Sequence, residues 1–256
     1  MTEENNTYPD TSQDQNSQFE QLTNSEAMAG VITAPSETFE TIANTPKKNY
    51  WLIPVLIAIV VGLVSTFLFM QDAELVGRTM NKQKEKMMEK FEENIKDGKM
   101  TQEQVDAAME SMNPKGVFFK IMGYGGSVVG PFIVLLLLSV IYLIVLKIMQ
   151  GKIDFLNIAN VVGLALLIGA IGNLIAIVIS ILKGNMTTIG PSLFMSEESV
   201  GEKVYALLTK IDLFSIWFYA VIAIGLSKVG SLSIAKTATA VFGIWIVYII
   251  VSSFAF

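Results

Sequence analysis

The side chains that most often carry chemistry are absent from this sequence. The chain has no His and no Cys. That excludes disulfides, thiol nucleophiles, zinc-finger spacings, histidine haem ligation and imidazole acid–base catalysis. Carboxylates, amides and thioethers remain. Asp154 and Asp212 each stand just before a long apolar run. An aspartate there caps a helix at the membrane interface; its chemical alternative is a charge at the mouth of a solute pathway. Asn160 and Asn173 lie inside the run that follows Asp154, where an amide serves mainly to hydrogen-bond between helices. Asp154, Asn173 and Asp212 are the residues that a polar pathway through the membrane would use.

Three other constellations are weaker. The segment NIKDGKMTQEQ hints at a calcium loop, but with Gly98 as its sixth position the first is Glu93, the third Ile95 and the twelfth Gln104. The bidentate glutamate that calcium requires is missing. Met87, Met88, Met100, Met109 and Met112 suggest thioether copper ligation or, better, adaptable apolar packing between helices. Glu197, Glu198 and Glu202 read as a solvated face. No nucleophile–base pair, P-loop or metal cluster is present. We therefore expect no catalytic residue, no metal and no cofactor, and a chain that is not an enzyme. Nucleic-acid binding is disfavoured by the net charge of −5 and the lack of a basic stripe.

The elements that must hold these residues follow from composition. Of the 256 residues, 52% are apolar and 16% charged, and mean hydropathy is +0.53. A soluble domain has about 25% charged residues. The 18 Lys and Arg and 23 Asp and Glu avoid five windows. These hold 23 residues between Lys48 and Asp72, 26 between Lys120 and Lys147, 28 between Asp154 and Lys183, 15 between Asp212 and Lys228, and 20 after Lys236. A membrane-spanning helix needs roughly 20 apolar residues. Four windows pass. The fourth is short, so Ile211, Asp212 and Lys210 must sit at its outer lip or the helix must be shielded. The fold class is thus an all-α integral membrane protein, a five-helix transmembrane bundle. Its spans are at about 51–71, 122–146, 156–182, 211–227 and 237–255.

Polar segments complete the plan. Residues 1–34 are rich in Asn, Gln, Ser, Thr and Glu and read as a disordered cytoplasmic tail; the membrane domain takes up 35–256. They lack the basic start and apolar core of a signal peptide. Residues 35–44 predict a short helix, with Pro35 at its first position and Phe39, Ile42 and Ala43 on one face. It is either an interfacial helix leading into the membrane or a capped helix packed on its own protein. Residues 72–120 carry 9 basic and 10 acidic residues. Helices over 81–97 and 102–112, separated at Gly98 and restarted by a Thr101/Gln104 capping box, predict an extramembrane helical hairpin. Gly126 and Gly130 form GxxxG, and Gly163, Gly169 and Gly172 dot the next span. Packing or a kink within the bundle is the favoured reading, with helix breaks lining a substrate site as the alternative.

Charge alone divides on orientation. Six basic residues lie on the side of the N-terminal tail and 12 on the other, which favours an outside N-terminus. The six, however, hug span ends, where positive-inside counting is decided. That favours a cytoplasmic N-terminus.

The order of short motifs resembles a known family. PSETFETIA is followed by a span opening Trp-Leu-Ile-Pro, then by Lys147-x3-GKIDF ending at Phe155, then by a glycine-rich span with VVGLALL, and last by KIDLFSIWF running on to AIGLS. Over roughly residues 30–256 this is similar to the YIP (Ypt-interacting protein, or "Yip-one" domain) family in its bacterial form. The motif positions are Pro35, Phe39, Asp154, Phe155, Gly163, Asp212, Phe214, Trp217 and Gly225, with structural roles. The resemblance implies five spans, a cytoplasmic N-terminus and an outward C-terminus in the bacterial inner membrane. Eukaryotic members contact Rab GTPases, but the Tyr-Gly-Pro signature of their tail is missing here and the 72–120 hairpin is an insertion. A Rab-type GTPase partner is therefore not carried over. The expectation is a membrane scaffold or partner-binding protein whose partners are the lipid bilayer and either a second copy or another membrane protein. The rival is a small transporter or permease component with a pathway between its middle spans.

Overall fold

A computed structural model describes residues 19–152 and 154–254, all helix and connection with no strand among them. Five helices are long and apolar enough to cross a membrane. In chain order the helices are α1 (Asn24–Thr33), α2 (Pro35–Asn44), α3 (Leu52–Gln71), α4 (Ala73–Lys96), α5 (Gln102–Ser111), α6 (Val117–Ile148), α7 (Phe155–Lys183), α8 (Glu197–Val200), α9 (Glu202–Leu208), α10 (Leu213–Gly230) and α11 (Ile234–Phe254). The spans are α3, α6, α7, α10 and α11.

The bundle is organised around α7. Half of its most apolar stretch is buried, against 17% for α3 and for α6. Helices α3, α6 and α10 pack on it, and α11 packs on α10. Without water between them, such helices are held by van der Waals fit and by the few hydrogen bonds they make, so close contacts decide the arrangement. The start of α7 meets the end of α10, where the Lys152 N–H donates to the Gly230 carbonyl at 2.9 Å. The two helices are antiparallel, and their N-termini lie on opposite membrane faces.

Several boundaries differ from the sequence reading. Residues 1–18 of the expected tail lie outside the described residues. The rest of it, however, includes a helix. Thr23 and Glu26 form a complete capping box, and Ala27 and Val31 are fully buried. One buried apolar pair at i, i+4 is enough to dock α1 against α2 and α7, although the stretch is too polar on average to look ordered. Helix α2 resolves the earlier alternative. Its Thr38, Phe39 and Ile42 are buried against α10, so it is packed on its own protein.

Helix α6 runs through Pro131 without ending. At 32 residues it is about 48 Å long, well beyond the roughly 30 Å hydrocarbon core. Its extra turns begin at Val117, and Val117, Phe118, Ile121 and Met122 are exposed. The hairpin is present, but α4 starts eight residues earlier than the expected 81. Asp72 accepts from the N–H groups of Glu74 at 3.1 Å and Leu75 at 2.9 Å, and Leu75, Val76 and Met80 are buried. Gly98 takes the left-handed φ of 67° that ends α4, and Thr101 with Gln104 forms the capping box of α5.

Candidate functional site

The most closely built region is a cap of α1 and α2 on the membrane face where α7 begins. Pro35 occupies the first turn of α2, where its missing N–H has no helical partner to lose. Phe39 is fully buried and lies over Gly225 of α10. A β-carbon at Gly225 would stand 3.1 Å from the phenyl ring and 2.5 Å from Val161 of α7. One glycine thus brings α2, α7 and α10 together. At the rim of the cap, Lys228 of α10 pairs with Glu40 of α2 at 2.6 Å.

The chain from α2 to α3 is fastened to α7 by one amide. Asn160 Oδ1 accepts from the N–H groups of Tyr50 at 2.9 Å and Trp51 at 3.1 Å. Its Nδ2 donates to the Lys48 carbonyl at 2.8 Å. One turn further along, Gly163 leaves room for Trp51: a β-carbon there would lie 2.4 Å from the Trp51 Cβ and 2.6 Å from its Cα. Lys48 Nζ and the Tyr50 hydroxyl both donate to the Leu22 carbonyl, at 2.8 and 2.9 Å, which ties in the start of α1. Burial, and then the nearby Glu26 carboxylate, raise the Tyr50 hydroxyl above the ordinary tyrosine range.

Asp154 joins the cap to α7. It caps α7 through the N–H groups of Leu156 at 3.0 Å and Asn157 at 3.4 Å, and it pairs with Lys47 at 2.6 Å. Burial pushes its carboxyl upward. The Lys47 ammonium and the two backbone donors outweigh that and hold it below the usual carboxylate range.

The opposite face is built in a similar way. Asp212 caps α10 through Phe214 N–H at 2.9 Å and Ser215 N–H at 3.1 Å, and also accepts from the Ser215 hydroxyl. Gly172 of α7 seats Phe214, whose Cβ would be 2.5 Å from an added β-carbon. Trp217 lies beside Phe214, with ring centroids 6.3 Å apart. Because Phe214 sits at the level of Gly172, α10 begins well inside the length of α7. The connection 184–212 covers that short end. Leu213 N–H donates to the Ile189 carbonyl at 2.9 Å, and Gly190 packs against the Ile211 carbonyl so closely that a β-carbon would lie 2.2 Å from it. Lys210 crosses to the far end of α11, where it donates to the Ser252 carbonyl at 2.9 Å and the Ser253 hydroxyl at 3.2 Å. Burial lowers its ammonium from the ordinary lysine range. The short fourth span is therefore shielded. The acidic patch is partly tied down too, since Glu197 pairs with Lys82 of α4 at 3.2 Å.

The structure brings some of the expected residues together and separates others. Phe39 meets Gly225, and Phe214 meets Trp217. Gly163 receives Trp51, a partner that spacing did not suggest. Phe155 opens α7 and is exposed. Asp154 and Asp212 cap antiparallel helices and lie on opposite faces, and Asn173 is on the exposed side of α7. The structure does not bring these three together at one point. The GxxxG pair is not used for packing inside the bundle, because nothing lies within 4 Å of a β-carbon built on Gly126 or Gly130. Sequence reasoning missed Lys47 and Lys210 as partners and the triple role of Asn160. The only signal was Asn160 itself, a polar residue near the start of an otherwise apolar helix.

Comparison with known proteins agrees with this architecture. The model of the Yip1 domain matches residues 29–256. A protein from Bacillus subtilis (strain 168) called "Membrane protein YknW" is 24% identical over 230 residues, covering 87% of each chain. No solved structure matches.

Proposed function

The chain belongs to the Yip1-domain family of membrane proteins, and from that premise we propose that it is a non-enzymatic scaffold that holds a partner protein at the membrane. The observation that carries this reading is the cap of α1 and α2. Three independent fastenings fix it to the bundle: Phe39 in the Gly225 seat, the Glu40–Lys228 pair, and the Asn160 clamp with Lys48 and Tyr50. Its outward side leaves Ser25, Glu26, Ser36 and Glu37 exposed. A rigid, acidic, hydroxyl-bearing surface at a fixed height is suited to docking a partner with basic side chains. The bundle below it carries its lysines only at span ends, which suits a support better than a charge-coupled pump. The N-terminus and cap are assigned to the cytoplasm, and α4, α5 and the 184–212 connection to the outside, because the lysines of the cap face hug span ends.

Flux and partner recovery separate this reading from a transporter. Purified protein in liposomes is expected to give no solute or ion flux above empty vesicles. Affinity purification in mild detergent is expected to recover a stoichiometric partner that the charge reversal Glu37→Lys loses. Wild-type flux abolished by Asp212→Asn would replace the scaffold reading with the transporter one. Asparagine keeps the capping oxygen, so that variant removes the charge and leaves the α10 cap in place.

A further inference from the structure

On the membrane face that carries the cap, the first turns of α11 and the end of α6 leave a groove of about 410 Å³ lined by Met149, Ala235, Lys236, Thr239 and Ala240. Helix α11 packs on α10, whereas α6 packs mainly on α3 and α7. Its walls are a thioether, two alanine methyls and the methyl-bearing Thr239, and it has one charged group, Lys236. Ala235 and Ala240 contribute only methyl groups to its lining.

Charge around the groove is one-sided. Lys236, Lys147 and Lys152 are exposed and make no ion pair among the described residues. The other lysines of this face are engaged by the cap: Lys47 is held by Asp154 and Lys228 by Glu40, and Lys48 donates to the Leu22 carbonyl. Asp154, engaged in that way, is the only carboxylate in 149–154 and 228–236. Ala235 and Lys236 also belong to the first turn of α11, the positive end of its dipole. An apolar groove that opens to lipid under uncompensated cations matches a molecule with an acyl chain and an anionic head.

We propose that this groove is a binding site for an anionic phospholipid of the adjacent leaflet. The acyl chain lies between α6 and α11, and the phosphate is held by Lys236 with Lys147 and Lys152 adding to the local field. The inference uses neither the scaffold reading nor the assigned orientation, so it stands or fails separately from both.

The test is native mass spectrometry of the full chain released from vesicles containing equal phosphatidylglycerol and phosphatidylcholine. Wild type is expected to retain phosphatidylglycerol over phosphatidylcholine about fivefold, the preference that one lysine near a membrane surface confers. Lys236→Ala should lower the ratio towards one, and Lys236→Arg should keep it. Ala240→Phe, which fills the groove, should reduce retention of both lipids. Lys99→Ala, on the hairpin, should leave the ratio unchanged and controls for general charge. Added inorganic phosphate should not displace the lipid. Equal retention by wild type, an unchanged ratio in a folded Lys236→Ala protein, or displacement by inorganic phosphate would overturn the proposal. Should Lys236→Ala fail to fold, Lys147→Ala with Lys152→Ala serves instead, and an unchanged ratio there counts against it equally.

Discussion

Phe39 of α2 rests on Gly225 of α10 in a seat that no side chain can share, since a β-carbon would stand 3.1 Å from the ring and 2.5 Å from Val161. The contact links the cap to the two most closely packed spans. Gly225→Val should therefore do more than crowd the core. It should lift α2 from the bundle, destabilise the protein by about 1–3 kcal/mol, and increase amide exchange in 35–44. Thermal unfolding in detergent and hydrogen exchange measure the two effects. Exchange in α2 that stays at the wild-type level would contradict the seat.

The Asn160 amide makes three hydrogen bonds to the backbone of 48–51. Asn160→Ala leaves two N–H groups and a carbonyl without it, at a cost of about 2–4 kcal/mol. Asn160→Asp keeps the acceptor but sets a carboxylate oxygen against the Lys48 carbonyl in a fully buried site, so it should destabilise at least as much as alanine. Equal stability of the alanine variant would show that water replaces the clamp.

Asp154 supplies a pH dependence with a definite sign. Its folded pKa is below its ordinary value. The carboxylate therefore stabilises the fold fully above the unfolded value of about 3.9, and this contribution is lost as pH falls through the lower folded value. Stability should decline below about pH 4, and Asp154→Asn should remove that part of the decline. Lys47→Ala removes the strongest influence opposing burial, which brings the folded value closer to the unfolded one, so it should narrow the window and shrink this decline. Melting temperature against pH, compared across the three proteins, checks the order.

Orientation is open to a direct experiment because the chain has no native Cys. A single cysteine at Lys99 in the hairpin should react with a membrane-impermeant maleimide on intact cells. One at Asn44, exposed at the end of α2, should react only after permeabilisation. The reverse pattern would invert the assigned topology and move the cap outside.

Lys210 offers a further check on the shielded fourth span. Its ammonium reaches the last turn of α11, where a cation satisfies carbonyls that have no helical partner. Lys210→Met should raise amide exchange over the last turn of α11 and leave the cap of α1 and α2 unchanged. Equal change at both ends would mean general unfolding instead.

The sequence by itself determined the class, the number of spans and most of their limits. Five charge-free windows are enough for that, because a charge in hydrocarbon costs far more than any packing gain returns. It also determined the local punctuation. Asp154, Asp212, Thr101 and Gly98 act through neighbours a few residues away, so their roles at helix ends can be read from spacing. What only the tertiary structure decided depends on residues far apart in the chain. Asn160 finds its partners 109 to 112 residues away, and Lys228 finds Glu40 across 188. Nothing in local periodicity encodes those meetings. Ala27 and Val31 look like part of a polar tail until α2 and α7 cover them. The glycines make the same point: Gly163 and Gly172 receive aromatic residues, while Gly126 and Gly130 receive nothing. Within a membrane, apolar side chains prefer a neighbouring helix to lipid only by fit. Shape at specific positions, which composition does not report, decided which helices met and where the polar cap was anchored.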